Sequence, residues 1–382
     1  MRKWKCFSKE KEREKEIRYI LSIDGGGMRG IIPAYVIRRL SEELQKHGDE
    51  RPFYSHFDLI AGTSTGALIA LGLSTPREYL NDVKVDERAP YPLSYSYKEG
   101  IFRKKTIRVE RGTIERTIDS ESLEEFYKAK GSEIFKTKSH LLSLLGTVFS
   151  EKYDTSNYEE FLLKVFKDAP LSALCAPTIA ISFNTKTSEP YIFKSYDSDG
   201  FLVREAARAS SAAPLYFAAA SFIDRKTNEE LSLIDGGLGA NNPVLLAYKE
   251  ARELYPNADE YRILSLSTCS PKFHYNAAEQ VGGLTGWASP LVRLSGQAEL
   301  AIADMTIESI PNVEYIRIWD GSLKHKIRLD DYSDESIAAL LAVAEKSYEE
   351  NKERLENLAK ELSSHATSDA IKLCTEQNLL AN

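Results

Sequence analysis

The stretch at residues 57–70, Phe-Asp-Leu-Ile-Ala-Gly-Thr-Ser-Thr-Gly-Ala-Leu-Ile-Ala, constrains this chain more than any other. An apolar run that reads as a buried strand meets a Gly-x-Ser-x-Gly turn. The small apolar residues at 67–72 then read as a buried helix. That order is the nucleophile-elbow pattern, in which a sharp strand-to-helix turn presents one serine hydroxyl at the C-terminal end of a strand. Gly62 and Gly66 suit a turn where a Cβ would press on neighbouring backbone. The helix N-terminus behind Ser64 offers free N–H groups and a partial positive charge where an oxyanion would form. A Gly/Ser-rich turn without chemistry is the other reading, and the rest of the chain has to decide between them.

One strand earlier, residues 17–23 are β-branched and apolar and run into Asp24-Gly25-Gly26-Gly27-Met28-Arg29-Gly30. A helix is predicted from near Pro33, with an apolar stripe at Ile32, Val36, Leu40 and Leu44 and an end at Gly48. Strand, helix and strand within about fifty residues make a βαβ unit with parallel strands and a right-handed crossover. Both glycine-rich loops then fall at the same C-terminal sheet edge, where α/β sheets bind ligands. Gly25-x-Gly27-x-x-Gly30 also matches a dinucleotide fingerprint, but that reading wants an acidic residue at the end of the second strand, where this chain has Gly62-Thr63-Ser64. The other use of three glycines is an oxyanion hole, whose backbone N–H groups approach a substrate oxygen without side-chain interference.

Downstream, residues 76–139 have poor periodicity, with a basic strip at 103–111; a solvated insertion, a cap over the site and a lipid-facing surface are the readings. The most apolar short run lies at 141–149. A helix is predicted over 158–166, and strands over 178–183 and 191–193 form a hairpin or neighbouring pair. A small-residue run at 206–220 is interrupted by Pro214. A short strand at 231–234 ends in Asp235-Gly236-Gly237, a turn by default and also a place to mount a catalytic carboxylate. A helix over 244–255, a strand over 262–267, a glycine-rich loop or lid over 271–295, a helix over 294–307 and a strand over 313–319 follow. The near-heptad from Ile337 to Leu362 breaks at Asn351 and reads as a helix docked on the protein's own core rather than a coiled coil.

With 382 residues, 42% apolar and 28% charged, the composition is that of a globular protein with ample core. A net charge of -7 gives no reason to expect a nucleic-acid partner. Cys6, Cys175, Cys269 and Cys374 are far apart; disulfides and a zinc knuckle are not expected, which favours a reducing compartment, and Cys175 and Cys269 read as buried strand residues. The charged segment 1–16 has no apolar h-region, and no window reaches the ~18 apolar residues of a span. The expected location is the cytoplasm, or export without a signal peptide.

Asp24-Gly-Gly-Gly-Met-Arg-Gly30, Gly62-Thr-Ser-Thr-Gly66 and Asp235-Gly-Gly237, in that order, resemble the three motifs of patatin-like phospholipases, with the runs around 206–214 and 240–243 similar to further family blocks. The likeness covers residues 18–268 and fades in the insertion and the C-terminal third. It implies a three-layer α/β/α fold around a mainly parallel sheet; the chain as a whole divides into a tail at 1–16, a catalytic domain at 17–320 with the insertion or cap at 76–139, and a helical extension at 321–382. It implies a serine–aspartate dyad without metal or cofactor: Ser64 as nucleophile, Asp235 as base, and the loop Gly25, Gly26, Gly27, Met28, Arg29, Gly30 as oxyanion hole, supported by Gly62, Gly66, Gly236 and Gly237. The expected substrate is a membrane phospholipid, met peripherally. Some bacterial members degrade membranes as effectors switched on by a cyclic nucleotide; the compact layout resembles theirs, although no residue pattern marks a nucleotide site, and a homo-oligomer is compatible with the sequence.

An aspartate with a pKa of about 3.9 is a weak base for a serine hydroxyl, so Asp235 needs desolvation, or the oxyanion hole must carry most of the catalysis. A Ser-His-Asp hydrolase needs a histidine beyond the acid. His274, His325 and His365 qualify by order alone, and His274, in the glycine-rich stretch, is the one to watch. An acyltransferase of the malonyl-transferase kind would place histidine where Thr63 stands. A lipid-binding scaffold with a blocked pocket is the non-enzymatic alternative. Arg29 is expected to pair with a carboxylate or shape the loop, ahead of binding a lipid phosphate, and Asp24 to cap the loop rather than react.

Overall fold

The computed structural model describes residues 15–99, 105–134, 152–197, 200–270, 284–321, 323 and 327–365. Its frame is the βαβ unit. Strand β1 (Ile17–Ile23), helix α1 (Ile31–Lys46) and strand β2 (Leu59–Thr63) lead into helix α2 (Thr65–Ser74), and β1 and β2 pair in parallel with Ile20 opposite Leu59. All four stripe residues of α1 (Ile32, Val36, Leu40 and Leu44) are buried.

The sheet grows outward from that pair. On one side lie β9 (Glu260–Leu266) and β10 (Val313–Ile318), both parallel; on the other, β5 (Thr178–Asn184) pairs in parallel with β2. Beyond β5 the direction reverses: β8 (Glu230–Asp235) runs antiparallel to β5, and β7 (Ala220–Ile223) to β8. The predicted hairpin forms as β5 with β6 (Glu189–Lys194), antiparallel, with Ile181 opposite Ile192. The result is an eight-stranded, mostly parallel sheet in the order β10-β9-β1-β2-β5-β8-β7 with β6 beside β5.

Because side chains alternate across a strand, neighbouring residues of β1 feed two cores. Leu21 and Ile23 face the layer of α1 and α2, whereas Ile20 packs with Leu59, Ile179 and Ile263 against Val244, Ala247 and Ala251 of helix α6 (Val244–Leu254). This is the three-layer α/β/α arrangement. Helices α3 (Leu123–Ile134), α4 (Thr155–Phe166) and α5 (Val203–Ser210) belong to the first layer, and α7 (Leu284–Glu308) adds Ala303 and Ile307 to the second.

Three sequence expectations change here. Only part of 76–139 reads as an insertion: strands β3 (Tyr91–Glu99) and β4 (Lys105–Ile114) form a separate antiparallel ribbon, but α3 buries Leu123, Tyr127 and Ile134 in the main core. The helix read from residue 294 begins ten residues earlier at Leu284 and carries Pro290, buried, inside it. Cys175 and Cys269 are buried but stand in loops, not strands. The C-terminal pattern divides at Asn351 into α8 (Asp334–Glu350) and α9 (Lys352–Ser364); Leu340, Tyr348, Leu355 and Leu362 are buried in the core that α1 belongs to. The run at 141–149, His274 and His325 lie outside the described residues.

Candidate active site

Ser64 is the hinge between β2 and α2. Its backbone holds φ 56° and ψ -119°, a region that costs a non-glycine residue about 1–3 kcal/mol. The flanking glycines make the turn feasible. A Cβ on Gly62 would stand 2.2 Å from the Gly66 carbonyl oxygen, and one on Gly66 would stand 2.2 Å from the carbonyl oxygen of Ile23 on β1. The Gly-x-Ser-x-Gly spacing thus answers to two backbone contacts. The Ser64 N–H donates to Ser210 Oγ at 2.9 Å, which fixes the turn against α5.

Asp235 arrives at the same edge at the end of β8, and its antiparallel pairing places it opposite Ser182 of β5. Its backbone N–H donates to the Ala212 carbonyl at 3.0 Å. Ser64 Oγ donates to Asp235 Oδ2 at 2.6 Å, and the Gly237 N–H donates to Oδ1 at 2.8 Å. Burial dominates the electrostatics: it pushes the Asp235 carboxyl up to about 6, against the pull of these two hydrogen bonds. The desolvation that the sequence required of an aspartate base is present.

The glycine loop lies against the serine. A Cβ on Gly25 would come within 3.2 Å of Ser64 Cβ. Three N–H groups of the loop are already engaged: Gly25 donates to Asn241 O at 3.1 Å, Met28 to Leu329 O at 2.7 Å, and Arg29 to Gly26 O at 3.2 Å. Among the described residues no acceptor meets the N–H of Gly26 or Gly27. Gly27 has φ 57°, and a Cβ there would stand 2.2 Å from the Leu329 carbonyl. Arg29 lines the cavity and donates through Nε to the Gly26 carbonyl at 3.3 Å. Burial lowers its pKa to about 10, and no carboxylate among the described residues forms an ion pair with it. The loop's buried ion pair belongs instead to Asp24, which takes Arg317 as its partner.

Ser64 and Asp235 sit in a cavity of about 460 Å³, within the range of small-molecule sites. Its walls are mainly apolar and aromatic and include Leu68, Tyr127, Ile134, Tyr158 and Phe217. Asn241, from the Ala-Asn-Asn-Pro block, and Gly237 also reach it, while Gly236 packs behind, where a Cβ would stand 2.4 Å from Ile181 O. No cluster of metal-ligating residues occurs among the described residues. His365 is the one late histidine described. Its ring packs tilted against Tyr19, 4.6 Å between centres, and lies 4.0 Å from Asp58, at the opposite ends of β1 and β2 from Ser64. Sequence reading missed Tyr127, Tyr158 and Leu329, which reach the cavity through long-range packing, and Arg317, which pairs with Asp24 at the root of the glycine loop.

A strand-to-helix serine hydrogen-bonded to a strand-end aspartate, in an apolar cavity on a mostly parallel three-layer sheet, makes a candidate acyl-hydrolase site. The chain belongs to the patatin-like phospholipases: the profile of that family matches residues 21–248. Among curated relatives, it is 30% identical over 344 residues to patatin-like protein 2 of Arabidopsis thaliana, covering 80% of this chain and 76% of that one. It is 25% identical over 378 residues to patatin-like protein 2 of Oryza sativa subsp. indica, covering 88% and 85%. To patatin-12 of Solanum tuberosum it is 26% identical over 365 residues, covering 87% and 84%. Membership in this family implies lipid acyl hydrolase activity.

Proposed function

We propose that this chain cleaves the acyl esters of membrane phospholipids through a Ser64–Asp235 dyad, as a phospholipase A-type enzyme acting at the membrane surface. The observation that carries this reading is the 2.6 Å hydrogen bond from Ser64 Oγ to a carboxylate that burial has made more basic, on the floor of an apolar cavity. Asp235 takes the Ser64 proton as Oγ attacks the ester carbonyl. The oxyanion faces the unengaged N–H groups of Gly26 and Gly27, next to the N-terminus of α2. As the tetrahedral intermediate collapses, the lysolipid alkoxide leaves with the proton from Asp235, and the acyl group stays on Ser64. Asp235 then takes a proton from water, whose oxygen attacks the acyl carbon; the fatty acid departs and Ser64 regains its proton. An alkoxide leaves more readily than an amide anion, which suits a weak carboxylate acid–base to esters rather than amides.

The test pairs covalent labelling with product analysis. A fluorophosphonate should add one phosphonyl group to Ser64, and Ser64→Ala should abolish the labelling. Mass spectrometry of products from phospholipid vesicles should show free fatty acid and lysophospholipid from wild type and neither from Asp235→Asn. Undiminished labelling of Ser64→Ala, or loss of turnover in His274→Ala with Asp235→Asn still active, would overturn the dyad. The likeness in layout to regulated membrane-degrading effectors is tested in the same assay, run with and without 3′,5′-cyclic nucleotides.

A further inference from the structure

Leu215 and Leu238 line the cavity that holds Ser64 and Asp235, yet they stand largely in solvent, 85% and 58% exposed. They come from different parts of the chain. Leu215 follows Pro214 in the turn beyond α5, and Leu238 ends the short helical turn after Asp235. Exposed leucines scattered singly need no explanation. Two that converge on the rim of one apolar cavity, above a buried serine and carboxylate, call for one.

The backbone adds a second observation. Leu215 holds φ 74°, a left-handed conformation that a bulky side chain adopts only under constraint. The constraint is visible: the Lys152 N–H donates to the Leu215 carbonyl at 3.1 Å, and the Tyr153 N–H to the Tyr216 carbonyl at 3.0 Å. The leucine is therefore held outward by a pinned turn. Cations flank it. The Lys152 ammonium lies 5.7 Å from the centre of the Tyr216 ring, and Lys152 and Arg328 share the single carboxylate of Asp330. Asp331 also acts on Arg328, and the Arg328 side chain is 65% exposed beside the apolar rim.

We propose that this rim seats on a phospholipid bilayer, with Leu215 and Leu238 entering the boundary between headgroups and acyl chains and Lys152 and Arg328 facing headgroup phosphates. The proposal rests on the hydrolase reading above, which makes the lipid the substrate. A seated rim lets an acyl chain pass from bilayer to cavity without exposure to water. No helix among the described residues is long and apolar enough to cross a membrane, so among them the contact falls to surface features of this kind. An apolar pair with the Lys152 ammonium and the exposed Arg328 guanidinium beside it matches a phosphate-bearing lipid surface better than an uncharged apolar patch on a protein.

The full chain carrying Ser64→Ala, which leaves the lipid intact, is mixed with phosphatidylcholine–phosphatidylglycerol vesicles and assayed by co-sedimentation. Adding Leu215→Ser and Leu238→Ser should weaken binding at least about tenfold, equivalent to 1.4 kcal/mol, and each single change should weaken it partway. Leu163→Ser, at a leucine 45% exposed on α4 and outside the cavity, should bind like its parent. Circular dichroism and melting curves check folding, and the single variants keep the comparison open if the double variant does not fold. Unchanged binding of the rim variants, equal weakening by Leu163→Ser, or no vesicle binding by the parent would overturn the proposal. The hydrolase reading fails or survives separately, on wild-type hydrolysis of water-soluble p-nitrophenyl butyrate and on Ser64 labelling.

Discussion

Arg317 grips the carboxylate of Asp24 through both terminal nitrogens, at 2.8 and 2.6 Å. Asp24 is the residue at which β1 turns into the glycine loop, and its own N–H is spent on the Leu266 carbonyl at 3.0 Å. Arg317 stands two strands away on β10 and also donates to Ser265 Oγ of the intervening β9 at 2.8 Å. An ion pair thus ties the far side of the sheet to the root of the loop that faces Ser64. Arg317→Met should leave a buried carboxylate without its cationic partner, a penalty of about 3–5 kcal/mol. Arg317→Lys keeps the charge but loses the two-pronged geometry. The expected order of both melting temperature and kcat on a soluble ester is wild type, then lysine, then methionine. A methionine variant matching wild type in both would show that the pair does not hold the loop.

Burial places the Asp235 carboxyl at about 6, and the proposed base works only when ionised. kcat/KM should therefore fall tenfold per pH unit below about pH 6, whereas an ordinary carboxylate would keep its activity down to about pH 4. A histidine base would bend the profile in the same region, so His274→Ala is the control: the bend near 6 should persist in it. A pH-rate profile of wild type and that variant, at saturating and limiting ester, decides the point.

The same shift has a stability consequence of definite sign. With a folded pKa near 6 and an unfolded one near 3.9, the folded chain binds more protons between these values. Wild type should lose stability as pH rises through that window, by up to about 3 kcal/mol at 1.36 kcal/mol per pKa unit. Asp235→Asn removes the titration while keeping an oxygen to accept from Gly237. It should be inactive yet more stable than wild type at pH 7.5, with the gap closing toward pH 4. Urea unfolding at pH 4, 5, 6 and 7.5 measures this, and a gap that does not vary with pH would contradict a carboxylate raised by burial.

What the sequence shows of this site is whatever local pattern can carry. The β-branched run of β1, the stripe on α1 and the strand-end position of Asp235 each follow from side chains a few residues apart, and each is found where its pattern places it. Gly62 and Gly66 are legible because the turn they build is local, even though the atoms they make room for lie partly on β1. The early start of α7 is not legible, since a glycine and Pro290 read as loop, and burial of that proline against the fold outweighs the local preference. Arg317 and Leu329 left no trace either. Each meets the glycine loop across nearly the whole chain, and an arginine in a strand or a leucine in a loop has no periodicity to announce it.

The Leu329 contact leads to the last prediction. The Met28 N–H donates to the Leu329 carbonyl at 2.7 Å, and the same carbonyl occupies the space that a Gly27 side chain would need. The segment is anchored one residue on, where buried Asp330 accepts from Lys152 and from the Tyr153 hydroxyl at 2.5 Å. A stretch well beyond the family profile therefore sets the position of the loop that the proposed mechanism uses for the oxyanion. Gly27→Ala must displace that carbonyl and adopt φ 57°, at a cost of about 1–3 kcal/mol. Its kcat should drop by at least about tenfold, which is 1.36 kcal/mol of transition-state stabilisation, while KM changes little. Asp330→Asn keeps Gly27 intact and loosens only the anchor, so it should lower kcat in the same direction by a smaller factor. Steady-state kinetics on a soluble ester, with melting curves alongside, separates the two effects. If Asp330→Asn lowers stability and leaves kcat at the wild-type value, the Leu329–Asp330 segment supports the fold without positioning the loop.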